Sequence, residues 1–508
     1  MEKYVKKILS SRVYDVAVET PLLPARLLTQ RLGNQVSLKR EDMQPVFSFK
    51  LRGAYNKIAQ LSDAQKARGV IAASAGNHAQ GVAYAARELG LKSIIVMGHN
   101  APSIKVDAVR ALGAKVVLHG DTYDDAAGHA RTLVAEEGYV YVHPFDDVDV
   151  IAGQGTVGME ILNQHHGAPD VIFVPVGGGG LIAGIAAYVK YLSPATRVIG
   201  VEAEGSACMS AALAAGRRVT LPYETLDLFA DGASVAQVGK ETFRIARKCV
   251  DSVITVNTDQ ICAAIKDLFD DTRSIAEPAG ALAVAGMKKY CAARSIENRK
   301  LVAVVSGANV NFDRLRHISE RAEIGEQREA LLGVTIPEKK GSFRTFCRAL
   351  GKNTVTEFNY RYAGGDDAHV YVGLQVGAKD ARRRLVSQLK ESGYAVTDMT
   401  DNETAKLHVR HMVGGRTGTS RKELLYRFEF PERPGALLRF LSVLGTEWNI
   451  TMFHYRNHGA AWGRVLVGFE SSGVKVTQER KRLSANLEAI GYRYWEETGN
   501  PAYELFLR

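Results

Sequence analysis

Lys50 stands in the stretch Ser48-Phe49-Lys50-Leu51-Arg52-Gly53-Ala54, an amine among apolar neighbours. Far downstream, four glycines in a row, Gly177, Gly178, Gly179 and Gly180, separate Val176 from Leu181. A lysine amine is the side chain that condenses with a carbonyl. A bare backbone loop ahead of a helix is a device for holding phosphate. A cofactor with both an aldehyde and a phosphate tail needs the two together, and pyridoxal phosphate is the candidate. Each piece alone says less. Lysine is most often a solvated surface charge. A Gly-rich turn from strand to helix also serves tight packing with no ligand. Four consecutive glycines cost backbone entropy on folding, which argues for close approach of something to the backbone.

These residues need a frame. Between about residues 35 and 310, β-rich apolar runs alternate with helical patterns. The runs lie at 70–73, 93–97, 115–119, 139–143, 171–176, 198–202, 253–256 and 301–305, with amphipathic stretches such as 79–89, 121–137 and 180–192 between them. Such alternation predicts an α/β fold with parallel sheets and crossover helices. Ligands in these folds lie beyond the carboxyl ends of the strands. Three polar loops fall at such ends: the four glycines, Ser306-Gly307-Ala308-Asn309, and Ser74-Ala75-Gly76-Asn77-His78. One composite site is expected. Taken singly, Ser306 also reads as a turn serine and Asn77 as a helix N-cap. His78 reads as structural. Glu277-Pro278-Ala279-Gly280 approaches the cofactor in this reading, with no role given to Glu277.

The chain has 508 residues, enough for two to four domains. With 46% apolar and 24% charged residues it is ordinary for a soluble globular protein. The net charge of +10 is modest and scattered, and Lys339-Lys340 and Arg382-Arg383-Arg384 read as solvated faces. No nucleic-acid partner is expected. Five cysteines, an odd number without Cys-x-x-Cys spacing, suggest reduced thiols in a cytosol-like compartment. No metal-ligand spacing stands out. The apolar stretch 180–189 is too short to span a bilayer. The first nine residues read as a short amphipathic helix without a secretory core. A cytoplasmic protein with no membrane partner is expected.

Residues 314–329 form a charged helical connector, and beyond it a repeat appears. Pro337-Glu338-Lys339-Lys340-Gly341 returns as Pro431-Glu432-Arg433-Pro434-Gly435. The stretch from Val355 to Arg361 returns as that from Ile450 to Arg456, and Val372-Gly373 as Val467-Gly468, at an offset of 94 and then 95 residues. The expected organisation is a catalytic region at 1–313, with a smaller subdomain near 50–150. The connector follows, then a first α+β module at 330–400, a linker at 401–423, a second module at 424–498 and a tail at 499–508.

The segment Lys39-Arg40-Glu41 followed by Ser48-Phe49-Lys50-Leu51-Arg52-Gly53-Ala54 resembles the lysine segment of fold-type II pyridoxal-phosphate enzymes. The loops at 74–81, 177–180 and 306–309 resemble their asparagine, phosphate and pyridine-nitrogen loops, in the same order along the chain. The doubled module resembles paired ACT-like regulatory domains. Over essentially the whole chain this combination is similar to the biosynthetic threonine dehydratases. Ala308 departs from the Ser-Gly-Gly-Asn of many fold-type II members and leaves the serine in place.

The resemblance implies PLP-dependent deamination of L-threonine to 2-oxobutanoate and ammonia. It makes Lys50 the lysine that carries the cofactor and acts as base. Asn77 would hydrogen-bond the ring oxygen, Ser74 and Asn77 the substrate, Gly177–Gly180 the phosphate and Ser306 the pyridine nitrogen. It further implies a homotetramer inhibited by isoleucine, with valine as antagonist. The recurring Phe358-Asn359-Tyr360-Arg361 and Phe453-His454-Tyr455-Arg456 suggest an effector pocket that uses Phe358, Tyr360, Phe453 and Tyr455. Packing of these rings against their own module is the other reading. Two further readings stay open: a serine dehydratase, racemase or threonine synthase of the same cofactor class, and an amino-acid sensor with a vestigial catalytic half.

Overall fold

The computed structural model spans residues 1–508 and describes all but 338–341, 352, 354, 361–365, 378–379, 412–421, 432–435, 445–447, 449, 457–461, 472–475 and 508. At 224, 343, 344, 347, 357–360, 422, 437, 438, 441, 455 and 456 only the backbone is described. The chain divides into two compact units, Met1–Ala322 and Glu323–Arg508.

The first unit is built on two sheets. The larger orders Leu22–Pro24, Gln35–Arg40, Lys300–Val305, Val171–Pro175, Arg197–Ala203 and Ser252–Val256. Its first pair is antiparallel and the rest are parallel. The smaller is all parallel: Lys115–Leu118, Ser93–Met97, Val70–Ala73 and Val140–Tyr141. Central strands such as Val171–Pro175 are buried at every residue, as expected where helices cover both faces of a parallel sheet. The α/β class read from the alternation is the one observed. The run at 139–143 gives a strand of only two residues, because beyond Tyr141 the chain turns into the wall of a cleft.

The second unit contains two four-stranded antiparallel sheets of the same order. One is Val355–Tyr360, Asp367–Gln375, Glu329–Pro337, Ala395–Asp398; the other is Ile450–Arg456, Trp462–Ser471, Lys422–Pro431, Arg493–Glu496. Even the register break recurs, at Val355/Glu357 and at Ile450/Met452. In each sheet alternate residues serve two cores. Leu424, Tyr426, Phe428 and Phe430 meet the module's own helices, while Leu425 turns the other way. It joins Leu331, Tyr371 and Leu466 in an interior shared by both modules. The helices Glu403–Leu407 and Pro501–Phe506 contribute Ala405, Ala502 and Tyr503 to that interior. Among the described residues no helix is long and apolar enough to cross a membrane.

Candidate active site

Lys50 is the first residue of helix Lys50–Ala59. Its segment is stitched to the loop after Lys300–Val305: the Phe49 N–H donates to Ser306 O at 3.2 Å, and Ser48 bridges Gly307. The Ala308 N–H donates to the carbonyl of Phe47, a residue held at φ 54°. Asn77 opens helix Asn77–Glu88 directly beyond strand Val70–Ala73. The four glycines join strand Val171–Pro175 to helix Gly180–Leu192, whose first N–H groups have no partner within the helix. Parallel topology aims these loops at one another, and Lys50, Asn77, Gly177–Gly180 and Ser306 line one cleft.

The cleft is shaped for a group with a phosphate tail. A Cβ on Gly178 would collide with the Phe145 ring, and Gly179 sits at φ 92°. Side chains are therefore excluded where backbone must approach a ligand. The Gly178 carbonyl is tied back by Thr242 Oγ1 at 2.7 Å. Lys50 Nζ donates to Pro144 O at 2.9 Å, and burial pulls its pKa down to about 8 against the opposing charge of Glu277. An amine at that value is available both to condense with an aldehyde and to take a proton near neutral pH.

Glu277 has no role in the sequence reading, yet it lines the cleft and is buried. Its pKa rises to about 7, first through burial, then through Asp231; the hydrogen bond from Asn77 and the charges of Lys105 and Arg314 oppose the rise. Asn77 Nδ2 donates to Glu277 Oε1 at 2.5 Å, and Asn77 Oδ1 accepts from Asn309 Nδ2 at 2.7 Å. Ser306 is buried, with its Oγ 3.4 Å from Ala279 O. Ser74 is not among the residues lining the cleft; its Oγ accepts from the Gly76 N–H at 3.2 Å. His78 is buried on the Val142 carbonyl, and burial and the Lys50 charge hold it down to about 3, so it is neutral.

The helix that carries Lys50 is anchored by four fully buried charges. The Arg52 guanidinium donates to both Glu41 oxygens, at 2.7 and 2.8 Å, and to Glu160 Oε2 at 2.9 Å. Lys39 Nζ meets Glu160 at 2.5 Å. Two positive and two negative groups close a neutral cluster. The sequence reading missed it because Glu160 lies 108 residues from Arg52. The same cluster keeps Lys39 bound to a carboxylate, away from the cleft lining.

Of the proposed effector residues, Phe453 is 37% exposed, and its ring centroid lies 6.4 Å from that of Phe430. The side chains of Phe358, Tyr360 and Tyr455 lie outside the described residues; their backbones pair with Val372, Val370 and Val465. No group of three or more His, Cys, Asp or Glu among the described residues is placed to hold a metal.

Residues 13–307 match the model of the pyridoxal-phosphate dependent enzymes, and 320–409 and 414–507 match the C-terminal regulatory domain of threonine dehydratase. The chain is 54% identical over 507 residues to the biosynthetic L-threonine dehydratase IlvA of Burkholderia multivorans, covering 99% of both chains. It is 52% identical to that of Escherichia coli over 506 residues, covering 99% of this chain and 97% of the other. Among solved structures, the processed form of threonine deaminase isoform 2 from Solanum lycopersicum matches 63% of this chain and 92% of its own, with TM-score 0.62 and 50% identity. A T.th. threonine deaminase matches 61% of this chain and 99% of its own, with TM-score 0.57 and 41% identity. With its cleft, its lysine and both regulatory modules accounted for, the chain belongs to the biosynthetic threonine dehydratases, pyridoxal-phosphate-dependent lyases with a C-terminal regulatory region.

Proposed function

We propose that the protein deaminates L-threonine to 2-oxobutanoate and ammonia, the first step toward isoleucine, with pyridoxal phosphate held in the Lys50 cleft. The observation that carries this is the convergence of Lys50, Asn77, Gly177–Gly180 and Ser306 on one cavity. The cofactor, when bound, supplies an electron sink for charge that develops at the substrate Cα. Lys50 would hold it through Nζ, and once the substrate amine has displaced that linkage the freed Nζ would take and hold the α-proton. The depressed Lys50 pKa favours the neutral amine this needs. The glycine-loop N–H groups and the start of helix Gly180–Leu192 receive phosphate. Asn77 orients the ring through its carboxamide, itself fixed by Glu277 and Asn309. Ser306 would offer the ring nitrogen a neutral hydroxyl, which would favour elimination over transamination. Ser74 and Asn77 are the candidates for the substrate carboxylate on the family resemblance, with Asn77 in the cleft lining and Ser74 in the turn just behind it. The test is the release of equal 2-oxobutanoate and ammonia from L-threonine, with L-serine as competitor. A strong preference for serine would favour the serine-enzyme reading.

The same proposal gives the C-terminal unit isoleucine as inhibitor and valine as its antagonist, with Phe358, Tyr360, Phe453 and Tyr455 as effector candidates supported by the repeat. It takes the assembly as a homotetramer, to be measured by light scattering. It places the enzyme in the cytoplasm, in keeping with the reduced thiols of Cys208, Cys249 and Cys291. Its domain limits are catalytic 1–313, connector 314–329 and modules 330–400 and 424–498. The break between compact units after Ala322 falls inside that connector.

A further inference from the structure

Two carbonyls of the glycine loop are held from behind. Gly178 O accepts from the Thr242 hydroxyl at 2.7 Å and from the Gly239 N–H at 3.3 Å. Gly177 O accepts from the Cys208 thiol, a weaker donor, at 3.7 Å. The Gly178–Gly179 peptide is trans, so its carbonyl and its N–H point opposite ways. Drawing Gly178 O back therefore turns the Gly179 N–H toward the cleft that both glycines line. Thr242 is fully buried and lies outside that lining. A Cβ on Gly179 would run into Met209 and Thr242, so the loop is packed on its far side.

Thr242 lies in the first turn of helix Lys240–Cys249. Gly239, just before the helix, has no side chain to cap it. Asp146 caps it instead, from 94 residues before Lys240. Its Oδ2 accepts from the Lys240 N–H at 2.8 Å, and its Oδ1 from those of Glu241 at 2.8 Å and Thr242 at 3.3 Å. A carboxylate at a helix start is favoured by the helix dipole as well. A Cβ on Gly239 would collide with Asp146, so this cap needs the bare residue. His143 closes the turn that presents Asp146, its Nδ1 accepting from the N–H groups of Phe145 and Asp146. The same turn carries Pro144, whose carbonyl receives Lys50 Nζ. One short segment thus supports both the amine and the glycine loop.

We propose that Thr242, seated by Asp146, is the positioning residue of the glycine loop: it fixes the Gly178–Gly179 peptide with its N–H turned to the cofactor phosphate. Neither side chain lines the cleft, and each acts through the backbone. Four consecutive glycines have many backbone states open to them, so a fixed array of donors needs support from outside the loop. Donors held in place before the anion arrives cost no reordering when it binds. This rests on the reading that the loop receives the phosphate, and names what holds the loop ready for it.

The test compares pyridoxal phosphate with pyridoxal, which keeps the aldehyde and lacks the phosphate. Full-length holoenzyme is equilibrated against graded concentrations of each, and bound cofactor is read by absorbance. Phosphorus NMR of the bound phosphate is the second readout. Thr242→Val keeps the side-chain volume and removes the donor. It should weaken pyridoxal phosphate roughly threefold to tenfold, the scale of one hydrogen bond, and leave pyridoxal within about twofold. The phosphorus resonance should shift. Thr242→Ser, which restores the hydroxyl, should restore the wild-type ratio of the two affinities. Asp146→Asn should move that ratio in the same direction as Thr242→Val, and carries the test should Thr242→Val fail to fold. Equal loss of both ligands in Thr242→Val would make Thr242 a packing residue and overturn the proposal. So would wild-type affinities with an unmoved resonance, or a Thr242→Ser protein that behaves like Thr242→Val. A wild type that binds pyridoxal as tightly as pyridoxal phosphate would instead overturn the reading that the loop receives phosphate.

Discussion

Asn77 and Glu277, 200 residues apart in sequence, meet at 2.5 Å in the cleft, the carboxamide donating to the carboxylate. The contact joins the helix Asn77–Glu88, which connects two strands of the smaller sheet, to the helix Pro278–Arg294 that packs on the larger one. It also sets a negative charge where Lys50 feels it.

Glu277 raises the Lys50 pKa, against the larger effect of burial. Removing that charge in Glu277→Gln lowers the Lys50 pKa further. The rising limb of the kcat–pH profile assigned to Lys50 should therefore move to lower pH. Glu277 ionises near pH 7, so wild type and variant should differ most above that value. A limb that stays in place would mean that Glu277 is electrostatically remote from the base.

Arg52→Ala should destabilise the first unit by about 3–5 kcal/mol, because it strands the buried Glu41 and Glu160 carboxylates. Urea unfolding followed on the holoenzyme measures this. A loss below about 1 kcal/mol, the scale of an exposed pair, would contradict the burial of the cluster.

How much of this was legible beforehand differs from residue to residue. Lys50, the four glycines and Ser306 announced themselves because a parallel α/β chain must place its functional loops at strand ends, and those loops are short and continuous in sequence. The repeat was legible because Val372-Gly373 and Val467-Gly468 sit at matched points of matched strands. Glu277 was not, since a residue before Pro at a helix start looks like ordinary capping. The Arg52–Glu160 pairing was hidden because tertiary folding alone brings those residues together. Ser74 carried the right loop signature, and the structure ties its hydroxyl into a turn with Gly76.

Ser306→Asp should lower threonine turnover at least about tenfold and raise pyridoxamine phosphate formed per turnover, because a carboxylate stabilises a protonated ring nitrogen. Product analysis by chromatography reports both quantities. An unchanged rate with an unchanged product ratio would remove Ser306 from the ring.

A chain ended after Glu329 should keep threonine turnover and lose its response to isoleucine. All the cleft residues precede that point, and the T.th. threonine deaminase matches only 61% of this chain over 99% of its own. Initial rates with and without isoleucine decide it. Retained inhibition would put the effector on the first unit.

The most direct measurement is the yield of 2-oxobutanoate and ammonia from L-threonine by purified wild-type and Lys50→Ala protein supplied with pyridoxal phosphate, paired with mass spectrometry after borohydride reduction. The prediction is equal amounts of both products and a cofactor adduct on Lys50 in the wild type, with neither products nor adduct in the variant. Turnover or an adduct persisting in Lys50→Ala, or a wild type that releases no 2-oxobutanoate, would contradict the account.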